Sequence, residues 1–295
     1  MFGFNKKSRE DNMYNDNIPA PQPSHHVQRM VPELYTMVQS ATGNRQYQQD
    51  AVFVSGSKIL AANKKTRVMA LVCDGMGGMA DGGKASRTAI EMMAQGFSRI
   101  EKMQDVNIPE FFKSGIFAID KTIYNFPKEN GKGSGTTMVA CIAEDDNLYW
   151  ASVGDSRIYI IRGNEMQQVT RDHNYWLRLT EMVAAGQMTM EEAQAKKQKE
   201  ALISFLGIGN VSLMDINTSP FRMQLGDVIM LCSDGITKTL PDAQIKRIIT
   251  ADAVKPQEKA KALVEAATHA NSHSQDNTSV ALIYYHEKEI KKISS

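Results

Sequence analysis

The sequence predicts an α+β layered domain, and three observations carry that prediction. Six short runs rich in apolar and β-branched residues, at 67–73, 138–143, 148–153, 157–161, 228–232 and 278–284, are bounded by Gly, Asp or Asn, as strands are. Two of them, 148–153 and 157–161, are separated only by Gly154, Asp155 and Ser156. That spacing reads as an antiparallel hairpin and leaves no room for a parallel crossover. Four helix-like segments, at 84–97, 109–126, 242–249 and 256–270, are interspersed irregularly among the strands.

Taken in order, residues 1–34 read as a disordered tail. Asn, Asp and Gln are frequent there, Pro19, Pro21 and Pro23 interrupt it, and its apolar surface is too small to offset the entropy of ordering. His25 and His26 are read as part of that polar tail. A domain at 35–288 follows, then a short tail at 289–295. In helix 84–97, Ala85, Ala89, Met93 and Phe97 recur at i, i+4 and mark one apolar face. In 256–270, Pro256 suits the first turn, while Ala260, Leu263, Val264 and Ala267 form an inward stripe. Between about 172 and 206, the sequence Thr189-Met190-Glu191-Glu192 is a capping box, and 174–185 is helical up to a break at Gly186. This region reads either as a helical flap inserted between strands or as an ordinary surface helix pair.

Composition narrows the function classes. A net charge of +1 gives no reason to expect nucleic acid or an anionic membrane as partner. No apolar run approaches the ~20 residues of a membrane span, and residues 1–10 carry Lys6, Lys7 and Arg9 without the apolar stretch of a secretory signal. Cys73, Cys141 and Cys232 lie far apart inside apolar runs, which predicts buried free thiols in a reducing compartment, hence a cytoplasmic chain.

The informative pattern is an aspartate placed where an apolar strand ends or begins. Asp74 follows Ala70-Leu71-Val72-Cys73, and Asp234 follows Leu231-Cys232-Ser233; each is followed by glycine. Asp155 sits between two strands, Asp276 precedes the last strand, and Asp50 precedes an apolar stretch at 51–54. Any one of these is more often a turn former or helix cap. Five in similar settings point to a cation, because carboxylates gathered at one edge of a β-scaffold repel one another without one. All-oxygen donors favour Mg²⁺ or Mn²⁺ over Zn²⁺.

At these residues the chain resembles the PPM family, the PP2C-type metal-dependent protein phosphatases, and in particular its bacterial members. The resemblance runs from about Thr42 to Tyr284. It follows, in order, Gly43-Asn44-Arg45 with Gln49-Asp50, Asp74-Gly75-Met76-Gly77-Gly78, Gly133-Ser134-Gly135-Thr136-Thr137, Val153-Gly154-Asp155-Ser156-Arg157, Thr170-Arg171-Asp172-His173, Gly226-Asp227 with Ser233-Asp234-Gly235, and Asp276-Asn277. It implies a four-layer α-β-β-α sandwich of two antiparallel sheets flanked by helices. It also implies a site holding two Mn²⁺ or Mg²⁺ ions, with a third, weaker ion. In that resemblance Asp74 bridges the two metals, the Gly75 carbonyl is a ligand, and Asp234 and Asp276 hold the first metal. Asp50 acts largely through metal-bound water, and Asp155 with Asp234 takes the third ion. Arg45 holds the substrate phosphate, for which a planar bidentate fork is suited. The implied reaction is hydrolysis of phosphoserine and phosphothreonine in proteins, by attack of a metal-bridging hydroxide. The implied partners are the phosphorylated substrates of a Ser/Thr kinase, and the implied state is a monomer. No covalent phosphoenzyme is needed, in keeping with the absence of a Cys-x₅-Arg loop.

The chain departs from the family pattern at three places. Gln48 stands where bacterial relatives have Asn, Met76 stands where animal members have the histidine of DGHGG, and 199–207 differs from the usual segment after the flap. The glycine-rich stretch 131–137 is a turn into a strand and not a nucleotide loop, because Lys132 precedes the second glycine. Arg157 is read as a partner for a metal-site carboxylate or, alternatively, as a strand-edge charge. His173 belongs either near the site or at the base of the flap. The second function to weigh is a catalytically weak relative that binds phosphoproteins as a regulator.

Overall fold

Strand-like runs that are apolar at nearly every position, with no in–out alternation, require burial on both faces of a sheet. The computed structural model, which describes residues 28–60, 64–76, 81–270 and 273–291, meets that requirement with two sheets packed face to face. The first half of the chain forms β1 (Gln28–Ala41), β2 (Asp50–Val54), β3 (Lys58–Ile59), β4 (Arg67–Asp74), α1 (Gly82–Ile100), α2 (Ile108–Tyr124), β5 (Met138–Glu144) and β6 (Asn147–Val153). Then come β7 (Arg157–Arg162), β8 (Glu165–Gln168), α3 (Tyr175–Ala184), α4 (Met190–Gln194), β9 (Asp215–Ile216) and β10 (Phe221–Arg222). The chain closes with β11 (Val228–Cys232), α5 (Asp234–Thr237), α6 (Asp242–Thr250), α7 (Pro256–Ala270) and β12 (Thr278–Lys291).

One sheet has the order β3-β1-β12-β11-β7-β8, the other β10-β6-β5-β4-β2, with β9 added on β6. Alternate residues divide three cores between them. Val68, Ala70 and Val72 of β4 meet Ile229 and Leu231 of β11 and Ala281 and Ile283 of β12 in the core between the sheets. Met69, Leu71 and Cys73 turn the other way, toward Ala85, Ala89, Met93 and Phe97 of α1 and Phe112, Ile116 and Ile119 of α2. Met230 and Cys232 likewise pack on Ile245 and Ile249 of α6 and Leu263, Val264 and Ala267 of α7. The result is the α-β-β-α order, within the compact unit Val31–Lys288. Among the described residues no helix is long and apolar enough to cross a membrane.

The largest difference from the sequence reading is at Gly154-Asp155-Ser156. β6 and β7 are not a hairpin: β6 pairs with β5, and β7 pairs with β11 and β8 in the other sheet. The three residues carry the chain from one sheet to the other. Gly154 has φ +103°, and a Cβ there would lie 2.7 Å from Thr137 Cβ, so no other residue fits this crossing. Two boundaries also move. β1 begins at Gln28, inside the stretch read as tail, and β12 continues through Lys291. Residues 1–27 and 292–295, with His25 and His26, lie outside the described residues, as do Gly77 and Gly78. Helix α1 starts earlier than its apolar pattern because Asp81 caps it, accepting from Lys84 N at 2.8 Å. The capping box at Thr189 forms with both of its bonds.

Candidate active site

Asp74 ends β4, and its main chain is fixed by the two residues just before β5. Thr137 N donates to Asp74 O at 2.9 Å, Asp74 N donates to Thr137 Oγ1 at 3.0 Å, and Thr136 Oγ1 donates to Asp74 O at 2.9 Å. Thr137 Oγ1 also lies 2.7 Å from Ser156 Oγ, which links Asp74 to the inter-sheet crossing that presents Asp155. The glycine-rich stretch before β5 is therefore the brace of Asp74, a role its sequence did not disclose.

Asp74, Gly75, Asp155, Asp234 and Asp276 line one cavity of about 290 Å³, together with Arg45, Met76, Lys238 and the flap residues Glu200 and Leu202. Three of these carboxylates come from strand ends that the two sheets bring to the same edge. Asp234 follows β11 and opens α5, and Asp276 precedes β12. Arg45 reaches the rim from the loop after β1, which is fastened to the Asp276 segment from below. Asn277 Oδ1 accepts from Gln49 N at 2.7 Å, and its Nδ2 donates to Thr42 O at 2.8 Å.

Asp50 lies beneath the cavity, directly opposite Asp74 across the β2–β4 pair. It is buried and does not line the opening. Its Oδ2 accepts from Ser233 Oγ at 2.7 Å, while Oδ1 is buried with no hydrogen-bond partner. Ser279 N donates to Ser233 Oγ at 3.0 Å, Ser279 Oγ meets Ser40 Oγ at 2.7 Å, and Gln48 Nε2 donates to Ser40 Oγ at 2.8 Å. Gln48 Oε1 then accepts from Asp50 N at 3.0 Å and closes the circuit. The Gln48 amide thus makes its bonds despite the extra methylene.

Electrostatically the site is short of positive charge. Burial, followed by repulsion from Asp50, Asp234, Asp155 and Asp276, raises the Asp74 carboxyl well above the usual carboxylate range. Burial pushes Asp50 up to about 6 against its hydrogen bond from Ser233, and burial with Asp234 pushes Asp155 up to about 6. Two cations partly compensate. Arg45 Nη2 lies 2.6 Å from Asp276 Oδ2, and Lys238 Nζ pairs with Asp234 Oδ2. Among the described residues no three His, Cys, Asp or Glu side chains are drawn together into a ready-made metal cage. The donor set is nevertheless all oxygen, mutually repelling and partly unpartnered, and it fits hard divalent cations.

Arg157 does not reach a carboxylate of this cavity. It forms a two-point pair with Asp172, Nε–Oδ1 3.0 Å and Nη2–Oδ2 2.7 Å, because the crossing puts β7 in the other sheet and turns its first residue toward the base of the flap. His173 is fully buried under the crossing: Gly154 N donates to its Nδ1 at 3.2 Å, and its own N donates to Gly154 O at 2.9 Å. Its Nε2 stands 3.4 Å from Asp215 Oδ2 without forming a hydrogen bond. The flap is closed on itself at the root, where Tyr175 N donates to Ala201 O at 2.8 Å and Ile203 N to His173 O at 3.0 Å. Sequence reasoning missed Lys238, for which the i, i+4 spacing from Asp234 was an available signal. It also missed Ser233, Ser279 and Ser40, which only the fold brings together.

The sequence profile of protein phosphatase 2C matches residues 39–279. Protein phosphatase PhpP of Streptococcus pneumoniae is 31% identical over 230 residues, covering 77% of this chain and 89% of its own. The serine/threonine phosphatase stp of Listeria innocua is 31% identical over 225 residues, covering 75% of this chain and 86% of its own. A solved serine/threonine phosphatase of S. agalactiae superposes with a TM-score of 0.69 at 28% identity, over 85% of this chain and 99% of the other.

Proposed function

The chain belongs to the protein phosphatase 2C family, and we propose that it hydrolyses phosphoserine and phosphothreonine in proteins at the cavity edged by Asp74, Asp155, Asp234 and Asp276. The observation that carries this reading is the group of half-buried carboxylates facing one opening, with an arginine at its rim. Asp74, the Gly75 carbonyl, Asp234 and Asp276 would hold two Mn²⁺ or Mg²⁺ ions, Asp155 with Asp234 a third, weaker one, and Asp50 would act from beneath. When bound, the ions supply water activation and positive charge facing the phosphoryl oxygens.

The chain's own residues do the rest. Thr136 and Thr137 fix the Asp74 main chain, and Ser156 Oγ ties Thr137 to the crossing beside Asp155, so the Asp74 carboxylate needs little reorganisation. Arg45 gives Nη2 to Asp276 and stays exposed at the rim, where its fork suits two phosphate oxygens. A second cavity of about 620 Å³ shares Asp155, Glu200, Asp234 and Lys238 with the first and is walled by Trp176 and Lys199 of the flap. That adjoining room supports a polypeptide substrate over a small phosphomonoester. The substrates we assign are those of a Ser/Thr kinase. The chain would act as a monomer in the cytoplasm, a setting consistent with three buried, unpaired cysteines.

Hydrolysis of a phosphothreonine peptide and of p-nitrophenyl phosphate, with Mn²⁺ or with EDTA, tests this directly. Turnover that requires Mn²⁺ and is lost in Asp74→Asn is expected. Absence of turnover with tight phosphopeptide binding would support the regulator reading instead.

A further inference from the structure

Asp120 takes no part in the cavity, yet it is a buried carboxylate with a distinctive set of partners. It sits on α2, 3% exposed, and accepts from three main-chain N–H groups of one loop. Gly207 N at 2.8 Å and Gly209 N at 3.1 Å reach Oδ1, and Val211 N at 3.2 Å reaches Oδ2. Three main-chain donors on one buried carboxyl group hold this loop firmly. It is the far root of the flap.

From that root a ladder leads to the candidate metal ligands. Leu206 and Thr136 form an antiparallel bridge, with Leu206 N to Thr136 O at 2.9 Å and Thr136 N to Leu206 O at 3.1 Å. Thr136 in turn bridges Gly75, and its hydroxyl donates to Asp74 O. The contact has no slack. Gly207 has φ +101°, and a Cβ there would fall 2.3 Å from Ser134 O and 2.6 Å from Ile123 Cγ2. Phe205 lies against Gly135, close enough that a Cβ on the glycine would meet its ring at 2.8 Å.

We propose that Asp120 is a positioning residue for the metal-holding end of β4. Its carboxylate fastens the 207–211 loop, the loop holds Leu206 on Thr136, and Thr136 sets the Asp74–Gly75 main chain. The inference rests on the reading that Asp74 and Gly75 hold metal. A purely structural loop anchor would contribute to stability without affecting the metal.

The test compares Asp120→Asn with Ile116→Val, a fully buried position on the same helix that none of these hydrogen bonds crosses. Asn keeps the size but turns an NH₂ toward donors, so at least one of the three bonds is lost. Two quantities are read: amide exchange at Thr136 and Leu206 in EDTA, and the Kd of Mn²⁺ by calorimetry. Asp120→Asn is expected to speed exchange at both amides by about tenfold and to weaken Mn²⁺ by about 3- to 30-fold. Ile116→Val should lower Tm by a few degrees and change neither. The proposal is overturned if both variants weaken Mn²⁺ in proportion to their loss of Tm. It is also overturned if exchange in Asp120→Asn rises only within 207–211 while the Mn²⁺ Kd stays put. Should Asp120→Asn not fold, Thr136→Val removes the hydroxyl bond to Asp74 O while leaving α2 and the main-chain bridges in place, and an unchanged Mn²⁺ Kd there overturns the proposal equally. Wild-type protein that binds no Mn²⁺ would sink the metal reading itself. The exchange rates in EDTA would still report on the ladder.

Discussion

Arg67 and Asp74 stand at the two ends of β4, both in the sheet that packs on α1 and α2, and their surroundings are opposites. Arg67 is almost fully buried, yet every part of its guanidinium is engaged. Nε donates to Glu144 Oε2 at 2.5 Å, Nη1 to Ile100 O at 2.9 Å and to Met103 O, and Nη2 to Gln104 O at 3.0 Å. Lys65 adds a second cation on Glu144 at 2.8 Å. At the other end, Asp74 faces Asp50, Asp155, Asp234 and Asp276, and among the described residues no lysine or arginine pairs with it. One end of the strand completes its charges within the chain, while the other leaves them to be completed by something else. On the proposed reading of Asp74, the contrast separates a structural charge from a functional one although both ends are carried by the same apolar strand.

The contrast can be broken most severely at the satisfied end. Arg67→Ala leaves Glu144 buried beside only Lys65 and frees three carbonyls, so urea denaturation should show a loss of about 3–5 kcal/mol. The activity per folded molecule should be retained. Asp74→Asn does the reverse: turnover of a phosphothreonine peptide with Mn²⁺ should fall by about 10²- to 10³-fold or more, while the fold survives.

A pH series sharpens the comparison further. Asp50 and Asp155 are held up to about 6 by burial and neighbouring charge, against about 3.9 for an aspartate in the unfolded chain. Between about pH 4 and 6 the folded protein therefore binds more protons than the unfolded chain, and its stability falls as pH rises through that window. Thermal melts in EDTA from pH 4.5 to 7.5 should show the falling Tm, and saturating Mn²⁺ should remove most of the slope. The smallest effect is expected at Ser233→Ala. It removes the hydroxyl bond to Asp50 and the one that Ser233 Oγ accepts from Ser279 N, and calorimetry should record a loss of about 1–2 kcal/mol.

Much of this was legible in the sequence because its signals were local. Asp74, Asp234 and Asp276 each abut an apolar run, and α7 was bounded correctly by Pro256 and its inward stripe. The crossing at Gly154-Asp155-Ser156 was misread because a three-residue Gly-Asp-Ser link has the same local chemistry in a hairpin and in a change of sheet. The distinction lies in the partner of β7, which is β11, far along the chain. Of the two readings of Arg157, the partner of a metal-site carboxylate fails for the same reason, and the strand-edge charge is the one observed, paired with Asp172. The serine circuit around Asp50 and the Thr136–Leu206 bridge join residues that no spacing connects, and only the packed sheets disclose them.

We propose that the Asp74 end of β4 is built for a cation the chain does not itself supply. Thermal unfolding of wild type and Asp74→Asn at pH 7.5, each in EDTA and in Mn²⁺, tests it most directly. In EDTA the variant should be the more stable by about 1 kcal/mol or more, since one mutually repelling charge is gone; Mn²⁺ should then raise the Tm of wild type well beyond that of the variant. A variant less stable than wild type in EDTA, or one stabilised equally by Mn²⁺, would mean that Asp74 is not part of a cation site.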